Sequence, residues 1–196
     1  MSKNPQDDGR RMNLANALTG FRVVAAPILI CLALADMPSL LLALLTASFL
    51  TDAADGAVAR MSGGPTNFGA KFDSIADAIA YTAIGVSVIL VWPEIVRREM
   101  IAFVAVGASL FLPAFFAVMK FGQLTSYHTW LVKLAVGAVS VGLLILLLDW
   151  AAWPFRAAAV LAVLAGLEET AITVLLREPK SDVGSLGAVL RRWRTS

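Results

Sequence analysis

Six apolar segments, separated by short breaks, dominate this chain, and each is about 20 residues long, the length a helix needs to cross a hydrocarbon core of roughly 30 Å. They run from Leu14 to Ala35, Pro38 to Val58, Phe68 to Val91, Met100 to Met119, Trp130 to Leu148 and Trp153 to Leu176. The breaks are Asp36-Met37-Pro38, the Gly63-Gly64-Pro65 turn, Trp92-Pro93-Glu94, Gly122 to Tyr127, and Asp149 to Pro154, all rich in residues that end helices. No break could hold a separate domain. Residues 1–196 therefore read as one all-α integral membrane domain, with a polar lead-in over 1–12 and a tail over 178–196. Hydrophobic residues make up 59% of the chain, well above the roughly 45–50% of soluble domains, so lipid is the expected solvent.

An even number of spans puts both termini on one side, and lysine and arginine choose the side. Twelve basic residues fall on the segments that share the termini's side, among them Arg10, Arg11, Arg60, Lys71, Lys120, Lys133 and Arg191; only Arg97, Arg98 and Arg156 fall opposite. The termini and the 51–81 stretch are thus expected in the cytoplasm, with Trp92, Trp150 and Trp153 forming an interfacial belt at the other end. A basic flank, an apolar run and Ala33-Leu34-Ala35 imitate a cleavable signal, but Arg22 interrupts the run and cleavage would upset the charge distribution. The tail from Leu186 to Trp193 has the pattern of a short amphipathic helix on anionic lipid. A net charge of +2 with no basic face argues against nucleic acid as a partner. The single cysteine, Cys31, excludes an internal disulfide and reads as a small hydrophobe.

Against this apolar background, residues 51–81 carry four aspartates. Asp52 and Asp55 are three apart and Asp73 and Asp77 four apart, so each pair projects from one helix face. Two helices joined through Gly63-Gly64-Pro65 can aim all four carboxylates at one point. Four such charges in a poorly hydrated place repel and take up protons unless something neutralises them; two divalent cations would do so. Carboxylate oxygen suits hard ions such as Mg²⁺, Mn²⁺ or Ca²⁺, and the absence of clustered histidine or cysteine argues against zinc. Two metals held by carboxylates commonly serve phosphoryl transfer. The small residues Gly56, Ala59 and Gly69 leave room for a polar ligand near the backbone, and Arg60 offers a forked donor for phosphate. The same residues also suit close helix packing and a positive-inside arginine.

The order Asp52, two residues, Asp55-Gly56, two residues, Ala59-Arg60, eight residues, Gly69, three residues, Asp73, three residues, Asp77 resembles the signature of the CDP-alcohol phosphatidyltransferase family at every defined position. That resemblance implies a homodimeric membrane enzyme that uses CDP-diacylglycerol, releases CMP and joins the phosphatidyl group to an alcohol. It implies that Asp52, Asp55, Asp73 and Asp77 hold two divalent cations, Mg²⁺ or Mn²⁺, with Asp77 the general base. Gly56, Ala59, Arg60, Gly69 and Asp73 would then line the cytidine diphosphate pocket. The setting expected is a bacterial inner membrane.

The acceptor is less sharply marked. Residues 13–30, NLANALTGFRVVAAPILI, look like the opening of the phosphatidylglycerophosphate and cardiolipin synthase branch, which implies glycerol 3-phosphate. Against that branch, Ala78 follows Asp77 where lysine is common in it. Inositol phosphate, phosphatidylglycerol and serine are the other acceptors weighed. Arg22 is expensive in lipid and is expected either to face polar neighbours or to snorkel. Arg22, Lys120 and Lys133 are the candidate contacts for an acceptor phosphate, and His128 reads as an interfacial loop residue rather than a catalyst. Glu168 and Glu169 need polar partners, for which Arg22 or Lys133 qualify. Two rival classes, an intramembrane prenyltransferase and a small transporter, also place acids within spans.

Overall fold

Helices form where the apolar segments predict them and stop at the turns between. In a computed structural model, backbone is described for residues 5–61, 67–122 and 129–176, and side chains for 20–52, 75–122 and 129–176. Among the described residues there are seven helices: α1 (Pro5–Leu34), α2 (Pro38–Met61), α3 (Asn67–Val91), α4 (Pro93–Arg98), α5 (Met100–Phe121), α6 (Trp130–Leu147) and α7 (Trp153–Leu175). No strand occurs among them. Helices α5, α6 and α7 are each long and apolar enough to cross a membrane, while the described apolar stretches of the first three helices, Gly20–Leu34, Pro38–Asp52 and Ile75–Val91, are shorter.

The chain divides into two compact units, Met1–Pro93 and Glu94–Ser196. In the N-terminal unit α1 packs against both α2 and α3. Its core is a set of stripes at helical spacing: Ala25, Ala26, Leu29 and Ala33 on α1; Leu41, Leu45 and Ser48 on α2; Ala76, Ala80, Ala83 and Ile84 on α3. The many alanines let backbones approach, which is how helices gain packing energy when lipid gives them no hydrophobic drive to associate. On each helix an ionisable residue lies one turn from a stripe residue: Arg22 before Ala25 on α1, Asp52 after Ser48 on α2 and Asp77 before Ala80 on α3.

Two outer turns are closed by aspartate in a left-handed conformation, which short polar side chains tolerate better than most. Asp36 has φ 52° and Asp149 φ 54°. In the first turn Met37 N–H donates to Leu32 O at 3.0 Å and Asp36 N–H to Ala33 O at 3.2 Å; in the second Trp150 donates to Ile145 O at 3.2 Å and Asp149 to Leu146 O at 2.9 Å. Both follow the Schellman pattern, satisfying carbonyls that a helix end leaves open. The break at Trp92-Pro93-Glu94 contains a helix that the apolar pattern does not show, α4. Its cause is local: proline at the first position, Glu94 in the first turn and Arg97, Arg98 in the last, all of which favour a short helix. Helix α1 starts at Pro5, within the stretch read as the polar lead-in.

In the C-terminal unit α7 packs against α5 and α6, and glycine sets how closely. A Cβ on Gly166 would lie 2.9 Å from Ser109 O, and one on Gly142 would lie 3.0 Å from the backbone of Phe155. Ala135, Ala162 and Ala165 form the core between these helices, and Phe155 packs on Phe103 with ring centroids 4.7 Å apart. Thr129 is buried and caps α6, its hydroxyl accepting from Val132 N–H at 3.2 Å.

Candidate active site

The three helices of the N-terminal unit bring their ionisable residues to one level. Arg22 lies twelve residues before the end of α1, Asp52 fourteen after the start of α2 and Asp77 fourteen before the end of α3, a common depth of about 18–21 Å at 1.5 Å per residue. There Arg22 Nη1 donates to Asp52 Oδ1 at 2.9 Å and also to Asp77 Oδ1. Residues 30 and 55 positions apart thus meet at one nitrogen.

Burial is uneven across this contact. Arg22 has 4% of its side chain exposed, whereas Asp52 and Asp77 each keep 28%. The guanidinium is buried and the carboxylates are part-exposed. A buried guanidinium is strongly unfavourable unless oxygen acceptors surround it, so the two aspartates make its position tenable. Of the two placements expected for Arg22, polar neighbours or snorkelling to the interface, the structure has the first.

The remaining motif residues, Asp55, Gly56, Ala59, Arg60, Gly69 and Asp73, have side chains outside those described, as do His128 and the C-terminal tail. Among the described residues no three acidic, histidine or cysteine side chains gather as a metal cluster. The chemistry of the donor set nonetheless fits a hard divalent ion: carboxylate oxygens from two helices already converge on one cationic nitrogen, and oxygen is the donor such ions prefer.

A match to the CDP-alcohol phosphatidyltransferase family extends over residues 12–173, most of the chain and all of α2 and α3. The chain belongs to the CDP-alcohol phosphatidyltransferase family. It is therefore an enzyme of the class that transfers substituted phosphate groups, and its family makes phospholipid from a CDP-linked substrate and an alcohol acceptor in the membrane. Members generally use divalent metal ions. Membership also sets the prenyltransferase and transporter alternatives aside. No curated protein and no solved structure matches the chain.

Of the three basic residues predicted near an acceptor, Arg22 sits on the N-terminal unit of this phosphatidyltransferase and Lys120 and Lys133 on the C-terminal one. Lys120, in the last turn of α5, donates to Thr173 O at 3.0 Å and Val174 O at 2.7 Å. These carbonyls belong to the last turn of α7, where no intrahelical N–H remains for them and a cation is favoured. Lys133 is exposed and lies over the Trp130 ring, 5.5 Å from its centroid. Glu168 and Glu169 are half-buried on α7.

A second ionic cluster was not foreseen. Arg156 donates through Nε to Glu99 Oε2 at 2.7 Å and through Nη2 to Glu99 Oε1 at 2.8 Å. Arg98 donates to Asp149 Oδ1 at 3.0 Å. Glu99 is buried, yet the Arg156 fork holds its carboxyl below the ordinary value of 4.5, against the opposing effect of burial. The sequence signal available was a glutamate between a two-arginine run and the apolar start of α5, which cannot remain charged there without a partner.

Proposed function

We propose that this family member transfers the phosphatidyl group of CDP-diacylglycerol to glycerol 3-phosphate, releasing CMP, at a site formed around Asp52, Asp55, Asp73 and Asp77. The observation that supports it most is the meeting of Asp52 and Asp77, from helices on either side of the motif's turn, at one buried cation. A polar focus of this kind is costly inside a helical bundle and is kept where it has work to do.

In this reading the four aspartates hold two divalent ions, Mg²⁺ or Mn²⁺. Such ions supply charge stabilisation to the pyrophosphate oxygens when bound. Asp77 takes the proton of the acceptor hydroxyl, whose oxygen forms a bond to the lipid-side phosphorus while the pyrophosphate P–O bond breaks and its electron pair leaves with CMP. Gly56, Ala59 and Gly69 give the nucleotide access to the backbone, and Arg60 binds phosphate oxygen as a fork. Arg22, Lys120 and Lys133 are the basic side chains proposed for the acceptor phosphate. The functional form in this reading is a homodimer with six spans, in a bacterial inner membrane, its termini and aspartates on the cytoplasmic side.

CMP release tests the reading. Purified protein is given CDP-diacylglycerol, Mg²⁺ or Mn²⁺ and, in turn, glycerol 3-phosphate, inositol phosphate, inositol, serine or phosphatidylglycerol, with and without chelator. Chelator-sensitive release with glycerol 3-phosphate alone is expected. Release with another acceptor moves the assignment to that product, and release indifferent to chelator rejects the metal site.

A further inference from the structure

We propose that Arg22 is a built-in counter-cation of the aspartate site, occupying the carboxylate oxygens of Asp52 and Asp77 and competing there with a divalent ion. The inference rests on the reading of these aspartates as metal ligands and assigns Arg22 a duty different from binding the acceptor.

Three features of the contact support it. First, one cationic nitrogen joins two helices: Arg22 Nη1 donates to Oδ1 of both Asp52 and Asp77. A single positive centre shared between carboxylates of α2 and α3 is the arrangement a metal ion would also make. Second, the two sides of the contact differ in access. Arg22, 4% exposed, reaches the oxygens from within the helix packing, while Asp52 and Asp77 each keep 28% of the side chain exposed. Third, the cation is held by packing that has its own reason to exist: Arg22 continues the α1 stripe of Ala25, Ala26 and Leu29, so its charge stays beside the aspartates whether or not another ion arrives.

Two consequences follow from electrostatics alone. A resident positive charge offsets the mutual repulsion of neighbouring carboxylates without a divalent ion, so the site stays assembled. The same charge repels an incoming cation and shares its ligands, so it weakens metal binding.

The test uses the full-length protein in detergent, with Mn²⁺ as the probe, read by thermal midpoint and by electron paramagnetic resonance of free Mn²⁺. Coupling between ligands at neighbouring sites typically amounts to roughly 5–150-fold, and Arg22→Gln is expected to bind Mn²⁺ about tenfold more tightly than wild type. In chelator its midpoint should fall below wild type, and Mn²⁺ should recover more stability than it adds to wild type, as linkage requires of a tighter ligand. Arg22→Lys, which keeps the charge, should bind Mn²⁺ as wild type does. Unchanged or weaker Mn²⁺ binding by Arg22→Gln overturns the proposal. So does Arg22→Lys behaving like Arg22→Gln, or Arg22→Gln failing to fold even when prepared in saturating Mn²⁺. Asp55→Asn separates the two levels of the argument. Mn²⁺ binding that is lost in Asp55→Asn but unaltered in Arg22→Gln defeats only the role given to Arg22. No Mn²⁺ binding by wild type defeats the metal reading and this inference with it.

Discussion

Each unit of the molecule contains an arginine bonded to carboxylates, and the two are built in opposite senses. Around Asp52 and Asp77 the cation is buried, at 4% exposure, and the acids stay partly open. Around Glu99 the acid is buried, at 3%, and Arg156 is 61% exposed. The second arrangement spends both carboxylate oxygens on one fork and leaves nothing for a ligand except an arginine already engaged. The first leaves both acidic side chains part-exposed beside a buried positive charge. An ion pair that only fastens helices gains by being complete; a site must keep part of its chemistry accessible. The N-terminal unit therefore has the features of a working site, and the cluster at Glu99 those of a fastening.

Removing one acid from each cluster should separate these roles. Asp77→Asn is expected to lower CMP release by about 10²–10⁴-fold, the range for loss of a positioned proton acceptor, in a protein that still folds; release close to wild type would dissolve the distinction. Packing between the helices of the C-terminal unit supplies the next largest effect. Gly166→Ala would force a methyl group against the backbone of Ser109, at a cost of about 1–3 kcal/mol. Gly137→Ala, on α6 with open space around it, should leave stability level or raise it by about 0.5–1 kcal/mol. Thermal midpoints of the pair check this. Equal midpoints would mean that close approach of α7 does not set the stability of this unit.

The extent to which these regions could be read in advance follows the range of the forces involved. The helical segments were visible, because a run of about 20 apolar residues has few alternatives to a helix in lipid; α5 was expected to begin at Met100 and α7 at Trp153, and both do. Turns at Asp36 and Asp149 were visible as breaks, since an acid between apolar runs marks an end. Helix α4 was legible in principle from Pro93, Glu94 and Arg97-Arg98, but its six residues carry no apolar period. The motif spacing exposed the candidate aspartates because each pair lies on one helix. The meeting of Arg22 with Asp52 and Asp77 was only half legible. Burial cost demands polar neighbours for Arg22, but which helix supplies them depends on how α1 packs, and separations of 30 and 55 residues leave no local pattern. The same holds for Glu99 and Arg156, 57 residues apart.

The fastening role of Glu99 has a pH signature. Its carboxyl titrates below the ordinary value of 4.5 because Arg156, and to a smaller degree Arg98, favour the charged form. A depressed acid contributes stability above its unfolded pKa and loses it as pH falls through its folded one. Glu99→Gln should therefore lower the thermal midpoint by a few degrees at neutral pH, and the gap to wild type should close in the acid range below 4.5. Turnover at permissive temperature should remain near wild type. A gap independent of pH would mean that shape, not charge, holds the residue in place. The exposed pair Glu94–Arg97, 3.0 Å apart on the surface of α4, gives the contrast within the same region. Its loss should be hard to detect, as is usual for solvent-exposed pairs.

Lys120 gives a small expected effect on stability and the finest division between fastening and function. Its ammonium donates to Thr173 O and Val174 O, a cation at a helix C-terminus worth about 0.3–1 kcal/mol. An ammonium has three donors, so these two bonds do not exhaust it. Lys120→Ala should lower the thermal midpoint slightly and, if the proposed acceptor contact is real, raise KM for glycerol 3-phosphate several-fold with kcat little changed. The KM for CDP-diacylglycerol provides the internal control, because it should not move. A lower midpoint with unaltered KM would place Lys120 wholly with Glu99 among the fastenings. The basic group for the acceptor would then have to be sought at Arg22 or Lys133, and the division between an accessible site and a closed staple would be sharper.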